Sequence, residues 1–178
     1  NYKGFFWNPK LGIIDENCLM GVDAIIHLAG ASISKRWTKS YKQEIIESRI
    51  FSSNLLFKIV KENPNQVKQI ISASGTAIYP NSSSTVYTED SKTIVDNFLS
   101  NVVLKWEESV DKFQSLNIKV CKLRTGVVFS DKGGALLEIV KPIKLGLGSR
   151  FGDGKQVQSW IHLHDLVTMY LFAVENSL

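Results

Sequence analysis

Short apolar runs alternate with longer amphipathic segments along this chain of 178 residues. An unbroken apolar run is typical of a strand buried on both faces, and apolar residues three and four apart are typical of a helix. The pattern predicts strands at 23–29, 67–74 and 118–123, an extended piece at 156–162, and helices at 40–60, 96–116, 135–145 and 165–175. Strands separated by helices predict an α/β fold, in which a parallel sheet carries helices on both faces.

Local signals predict where two of the helices begin and end. Ser40 and Gln43 have the spacing of a capping box, and Pro64 should end the helix that they start. Asp165 is expected to cap the last helix, because its carboxylate can accept a hydrogen bond from a free backbone N–H group.

Small and polar residues follow each predicted strand of the sheet. The sequence reads HLAG at 27–30, SASGT at 72–76 and LRTG at 123–126. The carboxyl ends of parallel strands share one edge, and ligands of such sheets bind beyond that edge. One segment of this kind usually forms only a turn, but three together predict a ligand site.

Composition argues against two classes of partner. The 21 basic and 17 acidic residues give a formal charge of +4, and the lysines are scattered along the chain. Nucleic-acid binding needs basic residues clustered on one face, so these lysines are predicted to lie on solvated helix faces. No apolar run approaches the roughly 20 residues of a membrane span. We therefore expect neither a nucleic-acid nor a membrane partner.

Cysteine and histidine spacing predicts no metal site. Cys18 and Cys121 lie far apart and fit two reduced, partly buried thiols in a cytoplasmic protein. His162 and His164 would share one face of a strand, but no third ligand has suitable spacing. His27 lies inside a predicted buried strand and is interpreted as a hydrogen-bonded core residue.

Eight segments resemble one protein family, in the same order along the chain. They are VDAIIHLAGASI, RWT, ESR, SASGTAIY, FLSNVVLKWE, LRTGVVFSDKGGAL, LGLGSRFGDGKQ and SWIHLHDL. They are similar to the epimerase-like branch of the extended short-chain dehydrogenase/reductases, the NAD-dependent epimerase/dehydratase-like proteins. The resemblance implies a Rossmann-like sheet that is incomplete at its amino end. It places a truncated NAD(P)-binding domain at 1–130 and the beginning of a small carboxyl-terminal substrate lobe at 131–178.

The resemblance implies a fragment of an NADP-dependent (or NAD-dependent) oxidoreductase or epimerase, similar to the sugar-nucleotide epimerases, with a small-molecule substrate of unknown identity. The expected catalytic residues are Ser74, Thr76 and Tyr79. The expected cofactor-binding residues are Leu28, Ala29, Gly30, Ser72, Arg124, Gly126 and Val127. Trp160 and His162 are expected to line the substrate pocket.

Simpler roles remain open for several of these residues. Ser74 is as well explained by a bond to neighbouring backbone, and Tyr79 by packing. Arg124 could bind a phosphate or carboxylate bidentately or form an ion pair within the protein. Arg49 is equally well explained as a solvated helix residue.

The sequence departs from the family pattern in two places. The first departure favours an alternative, a non-catalytic dinucleotide-binding or regulatory protein. The family's tyrosine and lysine, four residues apart, correspond here to Leu99 and Val103, and neither side chain can carry a proton. Lys105 is present, but the residue four before it is Asn101. The usual acid–base pair is therefore absent.

The second departure is at the amino end, where the sequence lacks the family's first strand, glycine-rich turn and helix. The glycines at 146, 148, 152 and 154 follow no predicted strand and open no helix, so they do not replace that turn. We expect weak or no dinucleotide binding by this chain alone. We also expect the strands at 2–7 and 24–29 to expose unpaired edges through which the chain self-associates.

Overall fold

A computed structural model describes residues 4–150 and 152–176. Its strands are β1 (Trp7–Asn8), β2 (Ile13–Ile14), β3 (Ala24–His27), β4 (Gln69–Gly75), β5 (Lys119–Thr125), β6 (Val127–Ser130), β7 (Gly133–Gly134) and β8 (Trp160–His162). Its α-helices are α1 (Lys39–Glu62), α2 (Phe98–Asp111), α3 (Ala135–Lys144) and α4 (Leu163–Asn176). The four helices predicted from the sequence, the strands predicted at 23–29, 67–74 and 118–123 and the extended piece predicted at 156–162 are present, with ends that differ by a few residues.

The central sheet is parallel and has the order β3-β4-β5. Successive residues of β4 point to opposite faces, as the two-residue period of a strand requires. Ile70 packs into a core with α1 and α2, whereas Ile71 packs against Tyr170 and Ala173 of α4. The expected α/β architecture, with helices on both faces of a parallel sheet, is therefore confirmed.

The ends of the helices differ from the sequence prediction in two places. Thr38, not Ser40, caps α1, because Thr38 has extended backbone and its hydroxyl accepts the Tyr41 N–H at 3.2 Å. The Ser40 hydroxyl lies within the first turn and contacts the Thr38 hydroxyl at 3.1 Å. Helix α4 begins at Leu163, so Asp165 lies in its first turn instead of capping it. A carboxylate there still favours the positive end of the helix dipole.

A second three-stranded sheet, with the order β7-β6-β8, continues from the first. Gly126 is the single residue between β5 and β6, and β6 pairs in parallel with β8. Because β6 follows β5 directly, the second sheet stands at the carboxyl edge of the central sheet. The domain boundary expected after residue 130 stays a prediction.

One edge of the central sheet is open within the part of the chain that the structure describes. There β3 pairs only with β4, and Ile26 is 45% exposed. The strand predicted at 2–7 lies partly outside the described residues, and Trp7 pairs with Ile14 in an antiparallel hairpin. Phe6, Trp7 and Ile26 line a cleft of about 360 Å³ beside this edge.

None of the helices within 4–150 and 152–176 has the length and apolar character needed to cross a membrane.

Candidate functional site

The three small-residue segments meet at the carboxyl edge of the central sheet, as the sequence predicts. The pairing of His27 with Ser72 and of Gly75 with Thr125 aligns the strand ends. The segment 28–30 therefore begins beside the pair His27 and Ser72, and Gly75 lies beside Thr125. The residues that follow the three strands thus lie along one edge of the sheet.

A buried carboxylate organises the centre of this edge. Glu107 of α2 is 6% exposed and accepts a 2.5 Å hydrogen bond from the Ser74 hydroxyl. Arg124 donates to it bidentately, with Nε to Oε1 and Nη2 to Oε2 both at 2.8 Å. Lys122 lies 3.8 Å from Oε2 and bonds Asp111 more closely, at 2.7 Å.

These contacts set the charge state of Glu107. Burial alone would raise its pKa, but hydrogen bonds from Arg124 and Ser74 and the charges of Arg124 and Lys122 outweigh burial and lower the pKa below its ordinary value. The bond to Glu107 in turn raises the pKa of Arg124 above its ordinary value. Both groups are therefore charged over the whole pH range in which the protein is expected to work.

Arg124 also reaches the expected catalytic loop. Its Nη1 donates to the Tyr79 hydroxyl at 2.9 Å and to the Glu89 carbonyl at 3.4 Å. The guanidinium carbon lies 5.7 Å from the centre of the Tyr79 ring, and that ring stacks on Tyr87 at 5.4 Å. The arginine expected to bind cofactor is thus placed to fix the phenol of Tyr79.

The stacked tyrosines line two clefts. Both are lined by Thr76, Tyr79 and Tyr87, and their volumes are about 410 and 460 Å³. Clefts of this size are within the range of small-molecule sites. The Thr76 hydroxyl lies 3.0 Å from the Ser159 hydroxyl, so the first cleft is closed by the segment before β8.

Ser74 and Ser72 point away from these clefts. Alternate residues of β4 share a face, and both serines lie on the α1 and α2 side with 5% and 1% exposure. The Ser72 hydroxyl bonds the Ala73 carbonyl at 2.9 Å, whereas that of Ser74 bonds Glu107. The structure therefore places Thr76 and Tyr79 at the clefts, and Ser74 one layer behind them.

The expected cofactor residues after β3 line a separate cleft. Ala29 and Gly30 contribute to a cleft of about 480 Å³, whose other wall carries Glu44 and Glu47 of α1. Leu28 is 61% exposed. A side chain at position 30 would approach the Arg49 guanidinium to 3.0 Å, so the backbone of Gly30 lies directly over that arginine.

Gly126 has a structural reason to be glycine. A Cβ atom at this position would lie 2.3 Å from the Ser159 carbonyl oxygen, which is closer than atoms can approach. The same carbonyl accepts the Val127 N–H at 2.9 Å and thereby aligns β8 with β6. Gly126 and Val127, both expected to contact cofactor, thus pack against and hydrogen-bond the residue just before β8.

The two expected pocket residues lie on β8. Trp160 is 62% exposed and stacks on Phe129, with ring centres 5.4 Å apart. His162 is exposed, and its Nδ1 accepts the His164 N–H at 3.3 Å. Neither residue contacts the Thr76–Tyr79 clefts directly, although Ser159 beside Trp160 does.

The remaining candidates behave as structural residues. His27 is 2% exposed, its Nε2 lies 3.1 Å from the Ser53 hydroxyl, and burial lowers its pKa to about 4. Val103 is buried beneath Gly75, so α2 offers no proton carrier at this point. Cys18 and Cys121 are free thiols. The described residues contain no group of three metal-binding side chains.

Sequence reasoning missed Glu107, Tyr87 and Ser159. A signal for Glu107 does exist, because it is a charged residue at an apolar-face position of α2, four after Val103 and three before Val110. Ser159 carries no local signal, since it reaches the site from a loop that is distant in sequence, and Tyr87 lies in the irregular stretch that follows Tyr79 and has no periodic pattern.

The family model of the NAD dependent epimerase/dehydratase family matches residues 13–177. An epimerase family protein of Staphylococcus aureus strain MW2 is 40% identical over 155 residues, which are 87% of this chain and 52% of that protein. The chain thus spans about half the length of the curated relatives that it matches.

Two solved structures are similar in fold and sequence. A human epimerase family protein, crystallised with NADPH, has a TM-score of 0.78 and 33% identity over 87% of this chain and 53% of its own. A nucleoside-diphosphate sugar epimerase of Corynebacterium glutamicum has a TM-score of 0.76 and 30% identity, over 93% of this chain and 34% of its own. The chain therefore belongs to the NAD-dependent epimerase/dehydratase family.

Proposed function

We propose that this chain carries the cofactor rim and the reaction cleft of an NADP-dependent (or NAD-dependent) epimerase or reductase that acts on a small, sugar-nucleotide-like molecule. The observation that carries the proposal is the arrangement at the carboxyl edge. Two clefts share Thr76 and Tyr79 after the end of β4, and Ala29 and Gly30 line a separate cleft after the end of the neighbouring strand β3. The human relative crystallised with NADPH and the sugar epimerase relative support the same class of ligands.

The residues present fit part of a dinucleotide. Gly30 has no side chain, so a ligand can approach its backbone closely. Glu44 and Glu47 can accept hydrogen bonds from ribose hydroxyls, but their charges disfavour a phosphate at that wall. The sequence has no glycine-rich turn between a strand and a helix, the element that binds a pyrophosphate. When bound, the nicotinamide ring would accept or donate a hydride.

Thr76 and Tyr79 are proposed to contact the reacting oxygen of the substrate. The Tyr79 oxygen accepts from Arg124, which leaves its own proton free to be donated elsewhere. A guanidinium at 2.9 Å stabilises the negative charge that the phenol oxygen acquires after donating that proton. Ser74 is proposed to act indirectly, because its hydroxyl holds the Glu107 carboxylate, which in turn orients Arg124.

The alternative is a non-catalytic protein that binds the dinucleotide or a partner. The apolar side chains of Leu99 and Val103 favour it, because α2 has no acid or base at the positions of the family's tyrosine and lysine. The Tyr79–Arg124 pair favours an enzyme, because it offers a proton carrier from another loop.

Calorimetric titration with NADPH tests the proposal. We define the extended chain as this chain joined to the parts of the Staphylococcus aureus relative that lie outside the matched residues. The extended chain is expected to bind NADPH far more tightly than the 178 residues alone. Low-micromolar binding by the 178 residues would contradict that expectation, and failure of the extended chain to bind would reject the dinucleotide function.

A screen of sugar nucleotides and small carbonyl compounds then separates enzyme from binding protein. Tyr79→Phe in the extended chain should lower turnover by about 100-fold or more, the usual contribution of a proton carrier. Tyr87→Phe is the matched control, because it keeps the stack and removes a hydroxyl that makes no hydrogen bond within the described residues. NADPH binding without turnover of any compound would favour the non-catalytic alternative.

A further inference from the structure

Four cations fall within eight residues around the start of α1. Two of them precede the helix and two lie in its first turn: Lys35, Arg36, Lys39 and Lys42. The sequence has no acidic residue from position 24 to position 43. None of the four takes part in an ion pair within the part of the chain that the structure describes. We call these four residues the basic cluster, whose positive charge has no counter-ion there.

Aromatic rings hold the basic cluster in place. The ammonium nitrogen of Lys42 lies 5.0 Å from the ring centre of Phe98, and that of Lys35 lies 5.4 Å from the ring centre of Tyr41. Trp37 packs edge-on against Phe98, with ring centres 5.3 Å apart. A contact between an ammonium group and an aromatic face restricts the group without cancelling its charge. The cluster therefore keeps its net charge in a defined arrangement.

The loop before α1 is also ordered by its own hydrogen bonds. The Tyr41 hydroxyl donates to the Ser32 carbonyl at 2.6 Å, and Nε1 of Trp37 donates to the Ile33 carbonyl at 2.9 Å. A loop that is already ordered loses little conformational freedom when it binds a ligand. The basic cluster is therefore arranged for binding before any ligand arrives.

The basic cluster adjoins the ligand edge of the sheet. Its loop follows β3 and therefore begins at the carboxyl edge. Phe98, the ring that two side chains of this segment contact, is the first residue of α2. Three residues earlier, Val95 donates its N–H to the Ile78 carbonyl at 2.9 Å, and Ile78 directly precedes Tyr79. The start of α2 thus connects the cluster to the loop that carries Tyr79.

The cations that line the clefts are paired with carboxylates. Lys122 and Arg124 both line the cleft of about 460 Å³, and they form ion pairs with Asp111 and Glu107. The cleft of about 410 Å³ has no charged side chain in its described lining, and the cleft after β3 carries one lysine and two glutamates. A ligand with several negative charges is therefore attracted to the basic cluster more than to these clefts.

We propose that the basic cluster binds the diphosphate group of a nucleoside-diphosphate substrate whose reacting part lies in the clefts beside Tyr79. The inference rests on the proposed function and deepens it, because it assigns a place to the charged part of the substrate. Arg36 can bind two phosphate oxygens with its planar guanidinium, and the three lysines add compact positive charges that attract the remaining oxygens. The dinucleotide also carries a diphosphate, and the second experiment below separates these two sources.

The first experiment titrates the 178-residue chain with inorganic pyrophosphate by calorimetry. The double variant Arg36→Gln/Lys39→Gln should bind pyrophosphate about tenfold more weakly than the wild type, as expected when hydrogen bonds from charged groups are lost. Lys58→Gln/Lys61→Gln is the matched control, because it also removes two exposed cations three residues apart, at the other end of α1. The control should bind within about twofold of the wild type, since charges about 30 Å away along a helix are screened by salt.

Two outcomes of this titration would overturn the inference. An equal loss of affinity in the two double variants would show an effect of net charge alone. No pyrophosphate binding by the wild type at millimolar concentration would show that the cluster does not bind a diphosphate. Both double variants should melt at the wild-type temperature, because all four substituted positions are exposed, so a loss of affinity would not be due to unfolding.

The second experiment uses the extended chain and separates substrate from dinucleotide. With NADPH at saturation, Arg36→Gln/Lys39→Gln should weaken binding of UDP-glucose, the probe, about tenfold, while NADPH affinity stays within about twofold of the wild type. Weakened NADPH binding with unchanged UDP-glucose binding would assign the diphosphate to the dinucleotide and overturn the inference. No UDP-glucose binding by the wild type would overturn it as well.

The proposed function and the basic cluster can fail separately. If the extended wild type does not bind NADPH, the dinucleotide function is rejected, and the pyrophosphate titration of the 178-residue chain still decides whether the cluster binds a diphosphate. If NADPH binds but the two double variants have equal pyrophosphate affinities, the dinucleotide function stands and the cluster is rejected.

Discussion

Arg124 and Glu107 form a bidentate ion pair, with both N–O distances at 2.8 Å, behind the loop that carries Tyr79. The carboxylate is nearly inaccessible to solvent, and the arginine extends from it to the Tyr79 hydroxyl. The pair therefore connects the packing of α2 on the sheet to the geometry of the clefts beside Tyr79.

Removing the charge of Glu107 should destabilise the fold strongly. Glu107→Gln leaves Arg124 without its counter-ion, and breaking a buried pair on one side typically costs about 3–5 kcal/mol. Urea denaturation followed by circular dichroism measures the loss. Glu108→Gln, at the exposed neighbouring position, is the control and should stay within about 0.5 kcal/mol of wild type. Equal denaturation midpoints for the two variants would contradict this prediction.

His27 should make stability fall as the pH falls from about 6.5 to about 4. Burial lowers its pKa from 6.5 to about 4, so in this range the unfolded chain binds a proton that the folded chain does not. The contribution of His27 to the free energy of unfolding is about 3 kcal/mol, at about 1.4 kcal/mol per pKa unit. This contribution is fully present above pH 6.5 and is lost as the pH falls towards 4.

Denaturation curves of His27→Gln across this range test the assignment. In this variant the free energy of unfolding should depend much less on pH between 6.5 and 4, since glutamine does not titrate. His164→Gln, an exposed histidine, should keep the slope. A wild-type stability that does not change between pH 6.5 and 5 would show that His27 is accessible to protons in the folded state.

A methyl group at position 126 should disturb the junction of the two sheets. Gly126→Ala places a carbon 2.3 Å from the Ser159 carbonyl oxygen, so backbone must move, and overpacking of this kind costs about 1–3 kcal/mol. Gly133→Ala is the control, because a Cβ there meets nothing within 4 Å. Equal unfolding free energies for the two alanine variants would show that the backbone near Gly126 and Ser159 can move apart without loss of stability.

Ser74→Ala should lower turnover of the extended chain if the site is catalytic. The substitution removes a 2.5 Å hydrogen bond to Glu107 and so loosens the carboxylate that orients Arg124. Ser72→Ala, which removes a hydroxyl bonded only to the neighbouring carbonyl, should retain turnover. Unchanged turnover in Ser74→Ala would remove Ser74 from the site.

The open edge of β3 should cause the 178-residue chain to self-associate. Ile26 exposes 45% of its surface on this edge, and unpaired apolar edges bind other strands. Ile26→Lys should reduce the mass measured by light scattering, and Leu104→Lys, on an exposed position of α2, should not. A wild-type monomer of 20.0 kDa over the working concentration range would show that the exposed edge of β3 does not cause self-association.

The order of the helices and strands could be predicted because burial imposes a period on each of them. The neighbours Ile70 and Ile71 illustrate this, since both are fully buried and yet they face different helices. The capping residue of α1 was harder to predict, because Thr38 and Ser40 both carry hydroxyls two residues apart. The extended backbone angles at Thr38 identify it as the capping residue, and these angles are known only from the structure.

The common edge of the strand ends could be predicted from the sequence, but the contacts made there only in part. The carboxyl ends of parallel strands always lie at the same edge of a sheet, so the segments at 28–30 and 74–76 could be assigned to one edge from the strand order alone. Contacts such as Thr76 with Ser159 join residues 83 apart, and no local pattern encodes them. The direction of the Ser74 side chain depends on the register of β4 against α2, which becomes known only with the fold.

The absence of a side chain at residue 126 has a mechanical consequence. The backbone of Gly126 lies directly against the carbonyl group of Ser159, so no flexible side chain separates the start of β8 from the end of β5. A tilt of β8 is therefore transmitted to Thr125 and, through the strand, to Arg124 and the phenol of Tyr79 that it fixes. The position of β8 and the orientation of the Tyr79 phenol are therefore expected to change together.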